Sequence, residues 1–101
     1  MLGQLPILIV TSLHLTAVAE ARPQFDIARE CRFEAGSSKA IRRTCVKDEK
    51  RARHRLEKQW AEFSPYEKAW CTREVSRTVA RSYVELLTCL QMEKHGQHTL
   101  K

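Results

Sequence analysis

No Cys-x-x-Cys pair occurs in this 101-residue chain. That absence removes the usual dithiol redox motif. The spacing Cys31-x13-Cys45-x25-Cys71-x17-Cys89 does not resemble a zinc site either. Glycine is nearly missing: beyond residue 19 only Gly36 and Gly96 remain, so no glycine-rich loop exists to cradle a phosphate. Aspartate is confined to Asp26 and Asp48, and the body of the chain holds one histidine, His54. No serine or cysteine is placed beside His54 by spacing, so nucleophilic and acid–base catalysis lack their parts and no enzyme is expected. No strand alternation, long repeat or low-complexity segment appears. The net charge of +6 and pI of about 9.5 would suit nucleic acid. The basic stretch, however, has no interleaved aromatics to stack on bases, so a nucleic-acid partner is not expected.

Charge is also missing from the first 19 residues. Leu5 to Leu15 is apolar apart from Thr11, Ser12 and His14, and Ala17-Val18-Ala19 follows. An apolar centre followed by small residues at −3 and −1 is the layout of a secretory signal peptide over residues 1–19. Cleavage after Ala19 is the first choice and after Ala21 the second. The apolar stretch is shorter than the ~20 residues a spanning helix needs, so no transmembrane span is expected in the mature chain. All 18 basic and 12 acidic side chains lie beyond Ala19. So do the four cysteines. An even cysteine count in a small exported chain reads as a disulfide framework, which supplements a core too small to stand alone.

What is present is helical periodicity. A polar lead-in covers 20–36, with Asp26 able to cap a short turn from Ile27 to Phe33. Ser37 to Phe63 then places Ile41, Cys45, Ala52, Leu56, Trp60 and Phe63 on one side of a helix expected over about 38–63. Ser37 or Ser38 is its N-cap. Ser64-Pro65-Tyr66-Glu67 makes a capping box with the favoured first-turn proline, opening a second helix to about residue 79. Its inward residues are expected to be Tyr66, Trp70, Cys71, Val75 and Val79. Ser82-Tyr83-Val84-Glu85 repeats the box and opens a third helix over 83–93, with Tyr83, Leu86, Leu87, Cys89 and Leu90 apolar. Gly96 is expected to stop it, leaving a frayed, flexible tail over 95–101. The expected fold is an all-α, disulfide-stapled antiparallel helical hairpin or three-helix bundle, with its helical domain over 37–94.

Helical rise selects the cysteine pairing. Cys45 lies ~27 Å below the Ser64 turn and Cys71 only ~9 Å below it, too far apart in height to bond. Helix three climbs back to bring Cys89 level with Cys71. The pairs expected are Cys31–Cys45 and Cys71–Cys89.

Opposite the apolar side of the long helix, Arg43, Lys47, Lys50, Arg51, His54 and Lys58 share an arc of roughly 100°. Asp48, Glu49, Glu57 and Glu62 are expected on its flanks. The ladder Arg43–Lys47–Arg51–Arg55 sets like charges at i,i+4, each step costing a few tenths of a kcal/mol. The arc reads either as a solvated face or as a candidate surface for an anionic partner. That partner would be an acidic envelope polymer, an anionic lipid surface or an acidic protein. His95-x2-His98 lacks further ligands for a metal, and neither a metal nor a cofactor is expected. Trp60, Phe63, Tyr66 and Trp70 cluster about the first turn and read as a small core, with an exposed recognition patch as the alternative.

The pattern Asp26-Ile27…Cys31-Arg32-Phe33-Glu34…Gly36, then Cys45-x2-Asp48-Glu49…Arg53…Leu56…Trp60…Phe63, then Cys71-Thr72-x-Glu74 and Ser82-Tyr83-Val84-Glu85-Leu86-Leu87-Thr88-Cys89-Leu90-x-Met92 spans almost the whole mature chain. It resembles a group of uncharacterised small exported proteobacterial proteins, of alphaproteobacterial type. The resemblance implies a periplasmic or secreted helical protein and no activity. Separately, Cys31-x13-Cys45 followed by Asp48-Glu49, Leu56 and Trp60 is similar to the two-cysteine helical module of LprI-like lysozyme inhibitors. That likeness implies a Cys31–Cys45 pair and a small periplasmic enzyme inhibitor. Against it stands the reading from the residues themselves, a non-catalytic binding or structural module of the cell envelope.

Overall fold

The computed structural model describes residues 22–77 and 81–99, with side chains through Gly96. The segment read as a signal peptide lies outside the described residues, as does Val79. Among the described residues four α-helices follow one another: α1 (Ile27–Ala35), α2 (Lys39–Gln59), α3 (Pro65–Ser76) and α4 (Tyr83–Thr99). Among the described residues there is no strand. No described helix is long and apolar enough to cross a membrane.

Each start has a visible cause. Asp26 accepts from the Arg29 N–H at 3.1 Å, and α1 grows past the expected turn to nine residues. It stops at Gly36, which turns the chain at φ 57° and donates its N–H to the Arg32 carbonyl at 3.1 Å. A side chain at that backbone angle would be strained. Ser38 caps α2 by accepting from the Ile41 N–H at 3.2 Å. The α-helix ends at Gln59, and a 3-10 turn over Trp60–Glu62 carries Trp60 and Phe63 into the core. The Ser64 box forms in both directions: Glu67 N–H donates to Ser64 Oγ at 3.1 Å, and Ser64 N–H to Glu67 Oε1 at 2.8 Å.

α4 lies against both α2 and α3, while α1 lies along α2. Glu49 meets Tyr83, and Glu62 meets Lys94 at 3.8 Å, so α2 and α4 run parallel with α3 descending between them in sequence. The core joins Ala52, Leu56, Trp60 and Phe63 to Cys71 and Val75 and to Tyr83, Leu86, Leu87 and Leu90. Both expected disulfides are present: Cys31–Cys45 with Cα atoms 5.5 Å apart, and Cys71–Cys89 at 5.7 Å. The first fastens α1 to α2 and the second α3 to α4. Two disulfides suit an oxidising compartment.

Four placements differ from those expected. Ile41 is 53% exposed, because the buried side of α2 begins only at Cys45 and its first two turns project past the core. Tyr66 is 63% exposed. The buried residues Glu67, Cys71 and Val75 set the phase of α3 and leave Tyr66 on the far side. Helix α4 runs through Gly96 to Thr99. A glycine inside a helix costs only about 1 kcal/mol, and Lys94 ties these turns to the end of α2 through Glu62 and the Phe63 ring, 5.8 Å away.

The fourth is Glu49. It is 4% exposed rather than flanking the basic arc. Its carboxylate accepts from the Tyr83 N–H at 2.7 Å, the Val84 N–H at 3.4 Å and the Ser82 hydroxyl. Ser82 Oγ in turn accepts from the Glu85 N–H at 3.2 Å. The serine half of the second box therefore forms, but the carboxylate at this helix start comes from α2. A carboxylate there meets free N–H groups and the positive end of the helix dipole.

Replacing Glu49 by alanine should lower the unfolding free energy by about 2–3 kcal/mol, since charge-assisted bonds to buried donors are lost. Urea unfolding measures this; a loss no larger than that of the exposed control Glu57→Ala would refute the role. Removing either disulfide as a Cys→Ser pair should cost about 3 kcal/mol for loops of this size. The same unfolding experiment, run on oxidised protein, checks it.

Candidate functional site

The basic side of α2 is a surface of nine exposed lysines and arginines: Lys39, Arg42, Arg43, Lys47, Lys50, Arg51, Arg53, Arg55 and Lys58. His54 is exposed among them. All six residues singled out from the sequence, Arg43, Lys47, Lys50, Arg51, His54 and Lys58, therefore reach solvent. Only Asp48 and Glu57 oppose them at the surface of α2, because Glu49 is withdrawn to cap α4. Among the described residues, none of the nine lies within ion-pair distance of a carboxylate; Arg77 pairs with Glu74 and Lys94 with Glu62 instead. The like-charge ladder thus keeps its repulsion in the folded chain.

One edge of this face is shaped. Arg51, Arg55 and Asp48 of α2 and Val84, Thr88 and Gln91 of α4 line a groove of about 200 Å³, floored by Ala52 and Leu87. Val84 is 40% exposed there. The groove gives the cationic face a small apolar margin.

A second concavity lies at the other side of the α4 start. A cleft of about 390 Å³ is bounded by the lead-in, α1 and Arg81. Phe25, Asp26, Arg29, Glu30, Phe33 and Arg81 line it. Phe25 is fixed by its neighbours: its N–H donates to Tyr83 Oη at 2.8 Å, and the two rings lie 4.9 Å apart at 47°. Glu30 is 8% exposed. Burial pushes its carboxyl above the usual glutamate value, nearby Glu49, Glu34 and Glu85 push the same way, and the Arg81 N–H bonded to it opposes them.

The aromatic cluster is split. Trp60 and Phe63 are buried, Trp70 is half-buried, and Tyr66 faces out. Lys68, itself 8% exposed, sits over the Trp60 ring at 5.2 Å. Among the described residues no group of three or more His, Cys, Asp or Glu side chains is placed to hold a metal ion. The side chain of His98 lies outside the described residues.

Two buried glutamates were not singled out from the sequence. For Glu49 the signal was available: it stands four residues after Cys45, three before Ala52 and seven before Leu56, in the middle of the apolar stripe. Glu30 and Arg81 carry no such mark, since a lead-in helix and an interhelical link bring them together.

The raised carboxyl of Glu30 means that the folded chain holds that proton more tightly than the unfolded chain does. Its contribution to stability is complete below the ordinary glutamate value of 4.5 and is lost as pH rises through the higher folded value. Glu30→Gln should therefore melt above wild type at neutral pH, with the gap closing below 4.5. Thermal melts across that range test it; a gap independent of pH would contradict the assignment. Compared with known proteins, the chain matches no protein family, no curated protein and no solved structure.

Proposed function

We propose that this chain is an exported, non-catalytic helical binding module of the cell envelope, periplasmic or secreted, that holds an anionic partner on the basic face of α2. The observation that carries this reading is the uncompensated charge: nine exposed cations against two exposed acids on one helix. Arg43 to Lys58 extends ~22 Å along the axis at 1.5 Å per residue. That is longer than the ~8 Å over which physiological salt screens charge, so the face acts as an extended array rather than a point. An acidic envelope polymer, an anionic lipid surface or an acidic protein would relieve the repulsion. Paired cysteines support the exported setting.

The rival is a small periplasmic enzyme inhibitor of the LprI-like kind. It takes support from the Cys31–Cys45 bridge. It is opposed by charge, since many lysozymes are basic and a strongly basic inhibitor would be repelled.

Reversing Lys47, Arg51 and Lys58 together to glutamate should cut retention on vesicles rich in phosphatidylglycerol, or on polyglutamate, by about tenfold or more at low salt. The melting temperature should hold or rise, because i,i+4 repulsion is removed. Unchanged retention would mean that the face is only solvated. Inhibition of lysozyme by the oxidised protein, undiminished by the reversal, would favour the rival.

A further inference from the structure

We propose that the cleft between the lead-in, α1 and Arg81 is a binding site for a small carboxylate carried on an aromatic or short apolar body. This site is separate from the basic face of α2 and does not depend on it. At about 390 Å³ the cleft has the size of a small-molecule pocket.

The chemistry of the ligand follows from which charged lining groups have a partner in the fold. Two acidic residues, Asp26 and Glu30, line the cleft, and a backbone donor engages each. Asp26 accepts from the Arg29 N–H at 3.1 Å as the cap of α1. Glu30 is buried and bonded by the Arg81 N–H. Two arginines also line the cleft, Arg29 from α1 and Arg81 from the segment before α4. Both are exposed, and among the described residues neither has a carboxylate within ion-pair distance. The unmet demand is for an anion, and two guanidinium forks suit a planar carboxylate.

The apolar half of the ligand is set by the two phenylalanines. Phe33 is 66% exposed on the cleft wall, away from the core cluster. Phe25 is held against Tyr83, which is 3% exposed, so that wall is rigid before a ligand arrives. Little ordering cost remains on that side, and preformed walls favour binding. A flat ring can lie along Phe25 and Phe33 while its carboxylate reaches the arginines.

The test is an NMR titration of the purified, oxidised protein with 3-phenylpropionate, with phenethylamine as the cationic counterpart. The carboxylate should give saturable amide shifts over Phe25–Phe33 and at Arg81 to Tyr83, and the amine should give none. The double variant Arg29→Ala/Arg81→Ala should weaken binding at least about tenfold, as expected when two charge-assisted contacts are removed. Phe33→Ala should weaken binding of 3-phenylpropionate more than that of acetate. All three side chains are exposed, so the variants should melt with wild type. The triple reversal of Lys47, Arg51 and Lys58 should leave this binding intact, which separates it from the α2 face. Equal shifts with the amine, unaltered affinity in the arginine variant, shifts confined to α2, or no saturation with the carboxylate would each overturn the proposal.

Discussion

The fold hangs on one carboxylate crossing between helices. Glu49 sits in the middle of the buried side of α2 and takes the first N–H groups of α4 together with the Ser82 hydroxyl. A carboxylate buried in an apolar stripe is costly unless it is fully bonded. A helix start buried without acceptors is costly as well. Each defect answers the other, so the two helices are held in one register. With that register set, Ala52 and Leu56 meet Leu86, Leu87 and Leu90, and Glu62 arrives beside Lys94. The disulfides act on the outer pairs: α1 is fastened to α2 and α3 to α4, while the α2–α4 contact at the centre relies on packing and on Glu49.

The same residue shapes the outside of the molecule. Withdrawing Glu49 from solvent leaves the cations of α2 with fewer acids beside them. Charge is thereby sorted by position: Glu49 sits inward at the start of α4, where the helix dipole favours it, and bases remain along the outer face of α2. The arrangement accepts repulsion on both sides. Glu30 shows this inside, where burial and the neighbouring Glu34, Glu49 and Glu85 all disfavour its ionised form. The arginine and lysine ladder shows it outside. A covalent bridge within each outer helix pair suits a small chain that carries such strain in its electrostatics.

Gaps between helices also follow from this frame. The 3-10 turn at Trp60–Glu62 swings two aromatics into the core and leaves α3 to descend on one side of α4 only. α2 and α4 then share an open margin lined by Arg51 and Arg55. On the other side, the lead-in packs Phe25 on Tyr83 and leaves a cleft in front of Glu30. Neither concavity belongs to a single helix, and each takes an arginine from an element whose periodicity says nothing about the other wall.

Local chemistry was legible in the residues. The Ser64 box, the Asp26 cap, the stop at Gly36 and the spacing of Cys45, Ala52, Leu56 and Trp60 each depend on neighbours within one or two turns, and helical rise alone was enough to pair the cysteines. The exposed basic arc was legible for the same reason, since helix phase assigns it to one side. Burial depends instead on what packs opposite. Ile41 looked inward, but the core cluster on α2 begins only at Ala52; Tyr66 looked inward until Glu67, Cys71 and Val75 claimed the buried face of α3. Gly96 looked like a stop until Lys94 anchored the turns around it. Most helix starts, the caps at Asp26, Ser38 and Ser64, and the cysteine pairing were determined by the sequence alone because they rest on short-range spacing. The tasks of Glu49, Glu30, Arg29 and Arg81 were decided only when tertiary packing brought distant backbone donors and charges within reach.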